Sequence, residues 1–438
     1  MNEQMQAKMI NKISWRLVPF LVLAYLLAYI DRVNLGFAAL TMNKEIGLTA
    51  TVFGWGAGIF FIGYFLFEVP SNLALQRYGA RFWIGRIMIS WGILSAAMAM
   101  TSGTVSFIVL RFLLGAAEAG FFPGIILYLT YWFPEKYRGV IISRFMFAQP
   151  IALMIGSAVS GWILGMDGVL GMTGWKWLFI LEGLPSILVG IIAFAYLTDK
   201  PEKAKWLSDE ERQWLRAQLD SEQAKVEAVR KYSLRESMLN PRVLLIGIVY
   251  VTIVTGIYGV NMWLPQIVKA FGGLSSSQIG LVSAIPFLAA AVGMLLIGVS
   301  SDHFQERTWH LTLAMLLAAG GLLGSAFFSN SPVLTIVFLS ASSIGLYGCM
   351  PIMWTIPSTF LTGTAAAAGI ALINSIGNLG GFAGPFVVGW IKDATGNFIY
   401  GLIFLGVNVV IGSLLAYYIS HKADQEKAVR LAVKPAKQ

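Results

Sequence analysis

Twelve apolar stretches divide this chain of 438 residues, each near or above the length needed to cross a bilayer's hydrocarbon. About 18 apolar residues cover the roughly 30 Å of that layer as a helix. The stretches lie near 15–38, 52–75, 82–101, 104–130, 139–165 and 176–197, then near 242–269, 276–300, 309–328, 332–357, 364–390 and 398–420. Composition agrees: 57% of residues are hydrophobic and 12% charged, whereas a typical soluble domain carries about 25% charged residues. An all-α membrane protein is predicted. The run after Lys8, Lys12 and Arg16 has the outline of a signal peptide. It is long enough to span, lacks a small-residue cleavage site and precedes many similar runs, so it reads as a retained first helix.

The placement of basic residues sets the orientation. With the N-terminus in the cytoplasm, most of the 31 Lys and Arg fall on cytoplasmic segments; only Lys44, Lys176, Lys269 and Lys392 fall on the other side, and Arg32 and Arg111 lie within spans. This bias puts both termini in the cytoplasm. It also accounts for the net charge of +9 through the anionic inner leaflet, without nucleic acid. The single cysteine, Cys349, excludes an internal disulfide and reads as packing.

Residues 198–241 form the one long polar stretch and separate residues 1–197, a six-span bundle, from residues 242–438, a second bundle with a tail. Ser208 and Glu211 make a capping box opening an amphipathic helix whose apolar stripe is Leu207, Trp214, Leu215 and Leu219. The halves repeat. Gly47, Leu48, Thr49 and Gly54 align with Gly273, Leu274, Ser275 and Gly280, Gln76 with Asp302, Arg81 with Arg307, and Gly120 and Pro123 with Gly348 and Pro351. Parallel six-helix repeats predict pseudo-symmetry and a site between the halves near the midplane.

Ionisable groups in hydrocarbon are costly and call for an explanation. The first six spans hold Asp31, Arg32, Glu68, Arg111, Glu118 and Glu182, and the last six hold none away from their ends. Arg111 and Glu118, seven residues apart, share a helix face; Asp31 and Arg32 point about 100° apart. Two readings stand: salt bridges locking spans 1 and 4, or a proton-coupled anion site in which protonating a carboxylate frees its arginine for a substrate carboxylate. Glu68 and Glu182 read as helix-packing or cytoplasm-facing groups ahead of a coupling role. Tyr25, Tyr29 and Arg32 share one face of span 1. Tyr258, Asn261, Trp354, Asn374 and Asn378 could supply neutral cavity contacts from the second half, with Gly377, Gly380 and Gly381 permitting close helix approach.

Several strings carry a family resemblance: Tyr29 to Asn34 in span 1, Gly63-Tyr64 and Phe67 to Asn72 in span 2, RFLLGAAEAGFFPG from Arg111, Trp132-Phe133-Pro134, and GWKWLFILEGLP from Gly174. By these the chain resembles the major facilitator superfamily in its anion:cation symporter branch. The second half, with WLPQIVKAFGGLS from Trp263 and LTGTAAAAGIALINSIGNLGG from Leu361, is similar to the tartrate, phthalate and hydroxyphenylacetate permeases, and less so to sugar-acid transporters. The resemblance implies twelve transmembrane helices in two six-helix halves. It makes Asp31 and Glu118 the proton-coupling carboxylates and Arg32 and Arg111 their partners. Tyr29, Tyr64, Gln149 and Asn374 or Asn378 fall at cavity positions. It implies a loop motif that latches the cytoplasmic ends, carried by Arg77 and Arg81 in one copy and Asp302 and Arg307 in the other, with Gln76 where the superfamily usually has Asp. No cofactor or metal is implied.

The expected activity is import of a small organic carboxylate by proton symport, by a monomer in a bacterial inner membrane. A sugar-acid symporter, an exchanger or an exporter uses the same parts. An enzyme is disfavoured: the histidines are His303, His310 and His421, and neither an HExxH zinc motif nor a phosphate loop is present. A sensor would need a signalling domain, for which residues 198–241 are too short.

Overall fold

The computed structural model describes residues 3–228, 240–357 and 363–433, and among them there is no strand. Residues 229–239 of the expected linker and the start of the string at Leu361 lie outside the described residues. Twelve helices are long and apolar enough to span: α1 Glu3–Ala38, α2 Ala50–Tyr78, α3 Ala80–Met100, α4 Thr104–Thr130, α5 Glu135–Leu164, α6 Gly174–Tyr196, α7 Pro241–Lys269, α8 Ser276–Phe304, α9 Thr308–Phe327, α10 Pro332–Met353, α11 Gly369–Thr395 and α12 Ile399–His421. They form two pseudo-symmetric sets of six. By packing, the chain falls into two compact units, Met1–Val229 with Asn261–Ala284, and Arg230–Val260 with Ile285–Gln438. Stripes of exposed Leu and Val, such as Leu66, Val69 and Leu73 on α2 or Leu296 and Val299 on α8, give the helices faces suited to lipid rather than water.

Hydrophobicity does not drive helices together inside lipid, so close approach depends on small residues. In the first unit α3 and α6 cross at Gly92 and Gly183, where a Cβ on either would lie 2.8 Å from the other's carbonyl oxygen. The α2–α4 crossing works the same way through Gly63 and Gly115, where an added Cβ would overlap the carbonyls of Phe112 and Phe60. Gly115→Ala should therefore push α2 from α4. Overpacking of this kind costs about 1–3 kcal/mol, and thermal unfolding of the purified variant should show a lower midpoint than the parent.

Two helices depart from the expected simple spans. α4 is a regular helix from Thr104 to Glu118, breaks at Ala119 and Gly120, and resumes from Phe121 to Thr130. Gly120 sits in the left-handed region (φ 81°), and its absent Cβ leaves room for the Ser71 hydroxyl of α2. Its repeat mate Gly348 lies inside a continuous α10, so the break belongs to the first half. In α5 the regular helix is interrupted at Phe147, between segments Glu135–Met146 and Ala148–Leu164.

The linker helix, Asp209–Ala228, begins at the expected capping box: Ser208 N–H donates to Glu211 Oε2 (2.8 Å) and Glu211 N–H to Ser208 Oγ (3.2 Å). It is tied to the first unit. Lys12 pairs with Glu211 (2.9 Å), Trp206 stacks on Trp132, Leu207 and Leu215 are buried, and Glu222 accepts from the first N–H of α5 and pairs with Arg138. Burial alone would raise the Glu211 carboxyl, but the Ser208 N–H and Lys12 outweigh it and hold it below the ordinary range. A carboxylate so depressed stabilises the fold fully above its unfolded value, about pH 4.3, and that contribution is lost as pH falls through the lower folded value. Glu211→Gln should lower the thermal midpoint at pH 6, and the difference from the parent should close in acid.

Candidate functional site

Arg32 and Glu118 meet in the first unit. Arg32 Nε donates to Glu118 Oε1 at 3.0 Å, and Nη2 closes an ion pair on the same oxygen. The two side chains are unequally covered: Arg32 keeps 14% of its surface open, Glu118 only 2%. The guanidinium lies over the rings of Tyr29 (4.9 Å), Phe60 (5.5 Å) and Tyr64 (5.8 Å). Aromatic faces attract the cation while excluding water, and Tyr25, Phe122 and Phe145 extend this wall beside Tyr29. Glu118 ends the first segment of α4, so the break that follows places an ion-paired carboxyl at the tip of a half-helix.

Asp31 pairs with neither arginine. It accepts from Trp91 Nε1 (2.7 Å) and Ser95 Oγ (2.8 Å) on α3, Ser186 Oγ (3.2 Å) on α6, and Asn34 Nδ2 (3.4 Å) one turn along α1. Four donors match the acceptor capacity of an ionised carboxylate. The roughly 100° between neighbouring helical side chains sends Asp31 into the α1–α3–α6 packing and Arg32 toward α4.

Arg111 is buried and directs its donors to backbone carbonyls of α2: Nε to Gly56 O (3.2 Å) and Nη2 to Ala57 O (3.4 Å). It lies 4.9 Å from the ring of Phe60, the ring Arg32 also faces. Helix carbonyls normally bonded within their own turn can accept a second bond, so Arg111 pins α4 to α2 two turns from Glu118. Gln149 is buried on α5, Glu68 on α2 and Glu182 on α6, where Ser160 donates to Glu182 Oε1 (2.8 Å).

The remaining expected residues are divided between the two packing units. Asn261 is buried within the first unit. Tyr258, Trp354, Asn374 and Asn378 belong to the second, where Trp354 meets Tyr250 edge-on (5.1 Å) and Gly377 and Gly380 bring α11 against Tyr250, Val251 and Thr255 of α7. Of the latch residues, Arg307 bonds Asp302 (2.6 Å) and Ser301 Oγ (2.8 Å). The first copy differs: Gln76 replaces the acid, and Asp199, after α6, accepts from the Arg81 N–H (3.0 Å) at the start of α3. Arg77 lies 5.6 Å from the ring of Tyr78. Trp91, Ser95, Ser186 and Ser160 were not singled out from the sequence. Their signal is spacing: Trp91 and Ser95, and Glu182 and Ser186, each lie one turn apart on a buried helix face.

The sequence pattern of the family described as Major Facilitator Superfamily matches residues 21–273 and 246–437. An Agrobacterium vitis protein named "Putative tartrate transporter" is 49% identical over 97% of this chain and 98% of its own length. An Acinetobacter baumannii protein named "Quinolone resistance transporter" is 45% identical over 95% of this chain and 96% of its own length. Among solved structures, a bacterial homologue of the human lysosomal transporter Spinster superposes with a TM-score of 0.78 at 16% identity, covering 95% of this chain and 98% of that one. That likeness concerns the fold.

Proposed function

We infer that this chain, which belongs to the Major Facilitator Superfamily, carries a small organic carboxylate across a bacterial inner membrane, by alternating access and in symport with protons. One observation carries the reading: a partly open Arg32 held by a buried Glu118. A substrate carboxylate and Glu118 compete for one guanidinium. Protonating Glu118 removes its charge, so Arg32 is released to take the substrate in the two-point geometry that guanidinium and carboxylate share. When the proton leaves on the other side, Glu118 reclaims Arg32 and expels the anion. Each partner drives the other because an unpaired charge in this apolar site is costly.

In this cycle Arg111 orients rather than grips, holding the Glu118 segment of α4 against α2. Tyr29 and Tyr64 present ring faces and hydroxyls to the carried acid. Gln149, Tyr258, Asn261, Trp354, Asn374 and Asn378 supply neutral contacts that choose among acids, and Arg77, Arg81, Asp302 and Arg307 act at the cytoplasmic ends. The Agrobacterium relative supports a tartrate-like hydroxy acid as cargo, and the aromatic wall beside Arg32 supports aromatic acids as competitors. Both termini are placed in the cytoplasm, and a monomer suffices. The relative named for quinolone resistance favours a second reading, an exporter or exchanger with the same anion site.

Purified protein in liposomes separates these. Labelled tartrate should accumulate when the outside is acidified, and release of the gradient should discharge it. Uptake that requires an internal organic anion and ignores the gradient would establish exchange. No tartrate uptake, with an aromatic acid carried instead, would reassign the cargo.

A further inference from the structure

The mechanism above leaves Glu182 without a role. Glu182 is 4% exposed, and among the described residues neither it nor Asp31 has a Lys, Arg or His within ion-pair reach. Ser160 satisfies Oε1, whereas Oε2 is buried with no hydrogen-bond partner. Asn34, 1% exposed, lies between the two acids: its Nδ2 donates to Asp31, its side chain also interacts with Glu182, and its Oδ1 is a second buried oxygen with no partner.

A carboxamide has one donating end and one accepting end. With its NH₂ turned to Asp31, the bare C=O of Asn34 can be satisfied by the other carboxyl only when that carboxyl is protonated. Asp31 accepts from the NH₂, and the protonated carboxyl donates to the C=O. Asp31, with four donors around it, has the environment of the ionised member. Glu182, with one neutral donor and a bare oxygen, has that of the protonated one. A proton on Glu182 Oε2 supplies a donor where two buried acceptors otherwise stand idle, each costing about 1–3 kcal/mol.

We propose that Glu182 is a second proton-binding site of this carrier and shares one exchangeable proton with Asp31 through the Asn34 amide. When the proton passes to Asp31, Asp31 becomes neutral and Glu182 takes the charge, and Asn34 turns its amide over to match. The other groups facing Glu182 do not supply a competing charge. α3 presents Trp91 and Ser95 to Asp31, α5 presents Ser160, Arg32 is turned to Glu118, Arg111 to the α2 carbonyls, and Arg86 to Trp83 and Ser90; Glu118 and Arg111 act on Asp31 through space, with no direct contact. Glu182 thus stores a proton on a different face of α1 from the anion clamp. Its part in transport rests on the proton-coupled reading; its protonation does not.

The test is a proton count on substrate-free protein in detergent, read alongside the infrared carbonyl stretch of protonated carboxyls. Titrated from neutral to strongly alkaline pH, the parent should release one proton per chain more than Glu182→Gln, and the variant should lack one protonated-carboxyl band at neutral pH. Asn34→Leu should keep that band but shift its frequency and the pH at which it bleaches. Equal proton release and identical bands in parent and Glu182→Gln would overturn the proposal. So would a band indifferent to Asn34→Leu, since Glu182 would then hold its proton in isolation. Failure of gradient-driven uptake with the proton count intact would sink the symport reading alone.

Discussion

Arg32→Ala is expected to cripple binding of the carried acid, with about a thirtyfold or greater loss of affinity. Truncating one partner of a buried, hydrogen-bonded charge pair costs about 2–5 kcal/mol at a binding site, and here the lost group is the anion's only partly open cation among the clustered charges. The variant should also lose stability. It leaves Glu118 buried without its partner, a situation worth about 3–5 kcal/mol. Those two effects separate in the double variant. Arg32→Ala with Glu118→Gln should recover much of the thermal midpoint, because no bare carboxylate is left, yet recover none of the affinity. Binding of tartrate at parental affinity by Arg32→Ala would remove the anion clamp from the mechanism.

Glu118→Gln has the opposite profile. The amide keeps the shape of the carboxyl but neither holds Arg32 as an ion pair nor takes up a proton. Arg32 is then permanently available, so the anion should bind and exchange across the bilayer while an imposed pH gradient no longer concentrates it. In liposomes with acid outside, the final ratio of internal to external substrate should fall to about one, since without a coupled proton nothing offsets the concentration work. Counterflow measured in the same vesicles shows that the variant is folded and mobile. Parental accumulation by Glu118→Gln would exclude it as the coupling group.

How much of this was visible beforehand differs from element to element. The spans are legible because lipid demands long apolar runs, and the cluster is legible because charge in hydrocarbon is rare enough to be noticed. The pairing was not. Asp31 and Arg32 are sequence neighbours, and the expectation of two arginines sharing two carboxylates treated them alike. Helical geometry turns them to different neighbours, one to the Trp91–Ser95 face of α3 and one to Glu118. Arg111 shares a face with Glu118 on paper. The glycines that draw α2 close put the Gly56 and Ala57 carbonyls within its reach. The break in α4 escaped for a related reason: Gly120 and Gly348 align in the repeat, but only the first adopts a left-handed backbone. Span limits drawn from hydropathy also stop short of helix limits, as at α1, which begins at Glu3, because a helix continues into water after its apolar face has ended.

Cys349 is fully buried, with its thiol donating to Leu346 O. The parent chain therefore offers no reactive sulfur to a bulky maleimide. Cysteines placed one at a time beside Arg32 or along α11 can be scanned for labelling from either side of the membrane without first stripping the protein of native thiols. The opening and closing of the path to the clamp can then be followed in a background that differs from the natural molecule by one atom group.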